Sequence, residues 1–367
     1  MNFVFICIGI FSSKAVTGGD TIFIEIGKRL VRDGNHVTIL TSKSGEVMFR
    51  GKGLDVNFWT ITRDERTSET GLVSTIFILP IRMLRAALLL RKKNISQGTV
   101  VVAYTDLIFD LFPMLFVRDR KVKRVSPFFQ IMPNPFKGYR GIFTGKLKVP
   151  NLRETVAYLQ QWFSVLCLKY TCDIIFSLRN IQYFLTDRGI PEKKIMGFSP
   201  GIDWSAVNCS VADEKRYDAC WMGRYHTMKG CDDLIRIWEL VCKERNEASL
   251  AIMGSASKRL EPLIKEKHLE QNIKVLGFVD DETKFRTMKE SKVLLFPSYY
   301  ESWGMIISEA MACGLPAIVY DLPIYQDIYP KGIVKVAIGN REAFASETIR
   351  LLTEKEMRQK LSKEAEQ

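Results

Sequence analysis

No stretch of the 367-residue sequence reaches the roughly 18–20 uninterrupted apolar residues that a membrane-spanning helix needs. The nearest approach, residues 74–93, is broken by Pro80, Arg82 and Arg85. The opening "MNFVFICIGI" lacks a basic n-region and reads as a first strand, not a leader. The eight cysteines are scattered with no CxxC pair, as expected of reduced thiols in a cytosolic protein, and no metal site is expected. No solenoid-period repeat and no nucleic-acid motif appears.

What is present is ordinary globular material: 47% hydrophobic and 26% charged residues. The length is too great for one core and suggests two domains. The formal net charge of +12 is unevenly placed. Residues 1–200 carry 29 Lys and Arg against 15 Asp and Glu, whereas residues 201–367 carry 24 against 26. A basic first half points to an anionic partner: a membrane, a nucleic acid or a phosphate-bearing substrate.

The chain opens with an apolar strand, a small-residue loop ending in Gly18-Gly19, a helical pattern to Gly34, and the strand "HVTILTS". This is the start of a parallel, doubly wound sheet. A second α/β series begins with "YDACWMGR" and runs through "ASLAIMGS", "IKVLGFV", "KVLLFPS" and "PAIVYD" to a long C-terminal helix. The expected architecture is α/β, two Rossmann-like domains facing a cleft, divided as 1–198 and 199–367 where Pro200 and Gly201 punctuate the chain.

Two segments carry chemistry. In "FPSYYESWGMIISEAMACGLP", Glu301 stands in a loop at a strand's C-terminal end. Glu309 stands on the apolar helix that follows Gly304. A carboxylate on such a helix is costly to bury without donors, and sugar or ribose hydroxyls are such donors. In "GRYHTMKG", Arg224 and Lys229 share one strand-to-helix loop, suited to gripping a diphosphate and neutralising it as it leaves.

Together these residues resemble the GT-B glycosyltransferases, specifically glycosyltransferase family 4. The matches are Gly223-Arg224 with Lys229-Gly230, then Gly277-Phe278-Val279, then Glu301 with Glu309-Ala310-Met311-Ala312, Gly314 and Pro316. The resemblance implies retaining transfer from a nucleotide-diphosphate sugar, with no metal or other cofactor required. It implies that Arg224 and Lys229 hold the diphosphate, Glu301 contacts the donor sugar, and Glu309 the ribose. Backbone amides around Ser302, Trp303, Gly304 and Met305 would line the sugar and phosphate. Gly223 belongs to the same motif, Gly254 and Val279 would border the nucleobase, and Gly18 and Gly19 would face the donor or acceptor across the cleft. Family members often carry a histidine in the first domain; this chain has only His36, His226 and His268, and offers Gln130 and Asn134 in the corresponding region. They usually end in a helix crossing back onto that domain, whereas this chain stops at Gln367.

Residues 71–150 interleave aliphatic and aromatic residues with lysine and arginine, the composition of a surface that lies on an anionic membrane. The expected acceptor is accordingly a glycan or lipid-linked acceptor, above all a lipid-linked glycan or a glycolipid, and the expected location is cytoplasmic, peripheral on the inner face of the cell membrane. Nucleic acid is not expected as a partner, because the second half already accounts for a nucleotide. Competing readings are a nucleotide-sugar epimerase or phosphorylase on the same scaffold, and a non-catalytic subunit that binds a partner.

Overall fold

The computed structural model describes residues 1–10, 18–62, 77–93, 95, 97–145, 147–212, 214–255 and 257–366. The first strands and helices are β1 (Asn2–Cys7), α1 (Gly18–Arg32), β2 (His36–Thr41), α2 (Lys43–Gly51), β3 (Asn57–Thr60), α3 (Leu79–Lys92) and β4 (Thr99–Ala103). Next come α4 (Ile108–Leu111), a 3₁₀ turn (Phe112–Phe116), β5 (Lys123–Phe128), α5 (Gly138–Thr144), α6 (Leu152–Thr171), β6 (Ile174–Leu178), α7 (Gln182–Thr186) and β7 (Ile195–Phe198).

The remainder comprises α8 (Trp204–Cys209), β8 (Tyr217–Met222), α9 (Cys231–Glu244), β9 (Leu250–Met253), α10 (Ser257–Glu266), β10 (Ile273–Gly277) and α11 (Asp281–Lys289). It ends with β11 (Ser291–Phe296), α12 (Met305–Ala312), β12 (Ala317–Tyr320), α13 (Ile324–Ile328), β13 (Ile333–Val336), α14 (Arg341–Thr353) and α15 (Lys355–Glu366).

The chain divides into two compact units. The first holds a seven-stranded sheet in the order β3-β2-β1-β4-β5-β6-β7, and the second a six-stranded sheet in the order β10-β9-β8-β11-β12-β13. Every strand pair is parallel. Strands such as "LAIM" and "AIVY" are wholly buried, as both-face coverage by crossover helices requires. Each sheet therefore reverses direction once, between β1 and β4 in the first unit and between β8 and β11 in the second. Loops that leave the carboxyl ends of those strands diverge there and open a crevice.

The units are Met1–Phe136 with Val149–Ser199, and Lys137–Lys148 with Pro200–Gln367. The switch at Ser199 lies one residue beyond the expected boundary, but residues 137–148, expected in the first domain, fold with the second. The cause is Tyr139 of α5. Its ring is buried against Tyr300 at 5.2 Å and His226 at 5.7 Å, centroid to centroid. Two further corrections concern secondary structure. The expected single C-terminal helix is two, α14 and α15, because Glu354 leaves the helical conformation. The second unit also gains the edge strand β13, beyond the expected "PAIVYD" strand.

In the first unit, crossovers from β3 through β7 all run in one direction along the sheet. Right-handed connection places α3, α4 and α6 on one face, and these helices pack on one another there.

Candidate functional site

The second unit's crevice is built by the loops after β8 and β11. Gly230, at φ 61°, lets the β8 loop touch the β11 end: a Cβ there would stand 1.9 Å from the Pro297 carbonyl oxygen. Tyr299 N–H then donates to the Met228 carbonyl at 2.7 Å, fastening the two loops. The result brings together side chains 72 residues apart. Lys229 Nζ lies 2.6 Å from Glu301 Oε1, and both side chains are largely buried. Ser298 Oγ donates to the same carboxylate oxygen at 2.7 Å. Glu301 Oε2 receives no hydrogen bond from the described residues. Lys229 commits one of its three N–H donors to this pair, so two remain for an anion. Its ammonium also lies 5.3 Å from the Phe296 ring centre.

Arg224 differs from Lys229. It is exposed on the same loop, and its guanidinium forms no ion pair among the described residues. The loop thus offers one pre-oriented cation and one free planar cation. His226 is engaged locally: its Nδ1 accepts from Met228 N–H at 3.2 Å, capping the 3₁₀ turn Thr227–Lys229.

Helix α12 enters through Gly304, which adopts φ 86° and where a Cβ would press at 3.1 Å on Ile307 Cδ1 and at 3.4 Å on the wholly buried Tyr325. Ile307 and Ser308 N–H turn back to the Gly304 carbonyl, leaving the N–H groups of Met305 and Ile306 without a helical acceptor. Such an end attracts anions. A hydrogen-bond chain holds it in place. Trp303 Nε1 donates to Ser308 Oγ at 3.3 Å, Ser308 Oγ lies 2.6 Å from Tyr329 OH, and Tyr329 donates to the Gly304 carbonyl at 3.0 Å.

Glu309 sits one turn further along. Its Oε1 accepts from Lys284 Nζ of α11 at 2.8 Å, while Oε2 is buried with no partner. Burial pushes the carboxyl above the usual range, against the pull of Lys284. Nothing in the spacing of the sequence links Lys284 to Glu309, since the contact is across helices. Gly223, Gly254 and Val279 lie at the ends of β8, β9 and β10, where Gly254 N–H donates to Gly277 at 2.6 Å and Gly223 N–H to Met253 at 3.2 Å. Ser302 and Met305 flank the α12 entry.

The structure underlines one residue the sequence hid. Asp233 of α9, fully buried, accepts from Tyr299 OH at 2.5 Å, Tyr320 OH at 2.9 Å and the Arg341 guanidinium at 2.8 Å. It anchors Tyr299, two residues before Glu301.

The first unit's strand ends carry different chemistry. Asp110 accepts from Ile8 N–H at 2.9 Å, Thr105 N–H at 3.2 Å and Thr105 Oγ1 at 2.7 Å, and burial pushes its carboxyl up to about 7. Tyr104 OH donates to Asp20 at 2.7 Å. Arg82 is buried and donates to the carbonyls of Ile8 and Ile10 at 3.0 Å. Gly18 and Gly19 open α1 in this unit, and the loop before them, 11–17, lies outside the described residues. Of the expected histidine substitutes, Asn134 Oδ1 accepts from Phe136 N–H at 2.9 Å in a local turn, and the Gln130 carbonyl accepts from Gln161 at 2.8 Å. Among the described residues no cluster of His, Cys, Asp or Glu is arranged to hold a metal.

Residues 206–367 match the family model of glycosyl transferases group 1. An uncharacterised glycosyltransferase of Methanocaldococcus jannaschii is 33% identical over 131 residues, 32% of this chain and 33% of that protein. The chain spans about a third of the length of the first curated relatives it matches. Among solved structures, Staphylococcus aureus TarM in complex with fondaparinux, alpha-GlcNAc-glycerol and UDP superposes with a TM-score of 0.75 at 13% identity, over 100% of this chain and 96% of that one. Anabaena HepE in complex with UDP and glucose gives 0.72 at 13% identity, over 99% and 93%. Residues 206–367 are thus similar to the glycosyl transferases group 1 family, and the chain carries the two-Rossmann-domain GT-B fold.

Proposed function

We propose that the protein is a retaining glycosyltransferase of the family 4 type, moving a sugar from a nucleotide-diphosphate sugar to a glycan or lipid-linked acceptor. The observation that carries this reading is the Lys229–Glu301 pair at 2.6 Å beside the open N-terminus of α12, at the point where the second sheet reverses. In the reaction, the bond between the anomeric carbon and the diphosphate oxygen breaks. The acceptor oxygen bonds to the same carbon on the same face, and its proton passes to the departing phosphate. Arg224 and Lys229 neutralise the charge that the diphosphate gathers, in place of a metal. Glu301 Oε2 takes a hydroxyl of the sugar, and Glu309 a hydroxyl of the ribose. UDP in the TarM and HepE structures supports a uridine diphosphate as the first donor nucleotide to try.

The first unit supports action at an anionic membrane. Helix α3 exposes Ile81, Leu84 and Leu88 at helical spacing, continued upstream by exposed Phe77. Helix α6, on the same sheet face, exposes Leu152, Leu159, Trp162, Phe163, Leu166 and Tyr170. Leu115, on the 3₁₀ turn packed between them, is exposed as well. Arg85, Arg91 and Lys92 on α3, and Arg118 and Lys121 after the 3₁₀ turn, are exposed cations on the same segments. An amphipathic face of this kind binds by apolar burial plus attraction to anionic lipid. Of the expected membrane segment 71–150, residues 71–76, 94, 96 and 146 lie outside the described residues. No helix among the described residues is long and apolar enough to cross a membrane.

The test is turnover of UDP-glucose and UDP-GlcNAc, with GDP- and ADP-sugars alongside, in the presence of a membrane lipid extract. Release of nucleoside diphosphate with sugar appearing on an acceptor, anomeric configuration retained, is the expected result. Nucleotide-sugar conversion without an acceptor would instead make it an epimerase, and no nucleotide binding a non-catalytic subunit.

A further inference from the structure

We infer that Lys284 is a positioning residue for Glu309, holding that carboxylate in the ionised form that accepts a hydroxyl from the bound nucleotide. The inference rests on the nucleotide reading of the site, and its test is built to fail separately from it.

Glu309 is the one charged residue on "MIISEAMA". Its side chain is 15% exposed, and Oε2 has neither a donor nor solvent contact. A carboxyl in such a place takes up a proton unless a cation opposes it. The groups facing it are Lys284 and Asp281 on α11, Cys313 after α12 and Tyr329 after α13. Asp281 pushes the Glu309 carboxyl up, as burial does. Cys313 and Tyr329 stay neutral, since burial raises both, the thiol to about 11. Lys284 alone among them supplies positive charge. It is itself enclosed, with its side chain 9% exposed, and its ammonium also pairs with Asp281 at 2.9 Å.

A purely structural reason for the pair is weak, because buried ion pairs are often matched or exceeded in stability by apolar replacements. The functional consequence is direct. A protonated Glu309 would present a donor where a sugar hydroxyl needs an acceptor, and would lose the added strength of a charge-assisted bond.

Two readouts test this on the full chain. Carboxyl ¹³C labelling of glutamate, with Glu309 assigned by the signal missing in Glu309→Gln, reads its titration midpoint. In Lys284→Met the midpoint should rise by about one pH unit or more, the effect of removing one adjacent opposite charge. Calorimetry with UDP, GDP and ADP between about pH 6 and 8.5 reads affinity. Lys284→Met should lose more affinity toward the acid end than the wild type, by up to about tenfold for each pH unit that the midpoint rises, and should recover at the alkaline end. Lys284→Arg should restore both behaviours. The double variant with Glu309→Gln should show no pH dependence beyond that of Glu309→Gln alone. An unmoved midpoint in folded Lys284→Met, or a moved midpoint with level affinity, overturns the inference. Failure of the wild type to bind any of the three diphosphates overturns the functional reading instead, and the midpoint alone then decides the role of Lys284.

Discussion

The two units repeat one topology, yet they treat charge at their strand ends in opposite ways. In the second, Lys229, Glu301, Lys284 and Glu309 form close ion pairs, and Arg224 is left free beside them. In the first, Asp110 is satisfied by backbone and hydroxyl donors, Tyr104 caps Asp20, and Arg82 is spent on two carbonyls. The first unit's distinction is on its outside, where α3 and α6 expose apolar side chains. The same topology thus presents fixed charge in one unit and an exposed apolar surface in the other, the division that the proposed function assigns to donor and acceptor.

The comparison breaks most severely if the second unit's framework is removed. Asp233→Ala leaves Arg341 and two tyrosine hydroxyls without their acceptor, and should cost about 3–5 kcal/mol in denaturant unfolding, the penalty of splitting a buried pair. An unfolding curve like the wild type's would show that this network is not what supports the Glu301 loop. Next are the charged groups of the site. Lys229→Ala and Glu309→Ala should abolish transfer with the fold intact by circular dichroism, and Arg224→Ala should lower kcat by about 10² to 10³, the loss of one preorganised charge contact. Full activity in purified Lys229→Ala and Glu309→Ala would refute the assignment.

Smaller effects probe the first unit. Replacing Leu84, Leu88 and Phe163 by Ser should reduce sedimentation with anionic liposomes several-fold without altering nucleoside-diphosphate binding, and raising salt should release the wild type. Equal retention on neutral vesicles would remove the electrostatic part of the argument. The smallest concerns Asp110. Its folded carboxyl titrates at about 7, above the ordinary carboxylate value, so the folded state holds a proton that the unfolded chain has already lost. Stability from this group is therefore full below the ordinary carboxylate range and is lost as pH rises toward about 7. Relative to Asp110→Asn, the wild type should lose melting temperature between about pH 5 and 8. A constant difference across that range would contradict it.

Much of this was legible in the residues. Apolar runs bounded by glycine or proline marked β1, β2, β4, β8, β9, β11 and β12, because strands buried on both faces need nothing else. Arg224, Lys229, Glu301 and Glu309 announce themselves by spacing along the chain. Three kinds of feature did not. Strands β3, β7 and β13 lie at sheet edges and are short and partly exposed, so their patterns are weak. The break at Glu354 has no glycine or proline to mark it. The partners Lys284, Ser298 and Asp233 act through contacts between elements, and the placement of α5 with the second unit depends on where Tyr139 finds an aromatic neighbour. These are tertiary facts with no periodicity to betray them.

The central claim is that the loops after β8 and β11 bind a nucleoside diphosphate through Lys229 and Arg224. Titration calorimetry of the full chain with UDP, GDP and ADP tests it most directly. The account predicts binding of one of them by the wild type, weakened at least about tenfold in Lys229→Ala and in Arg224→Ala, the loss of one charge-assisted contact each. Binding of equal strength in wild type and both variants, or no binding at all, would contradict it.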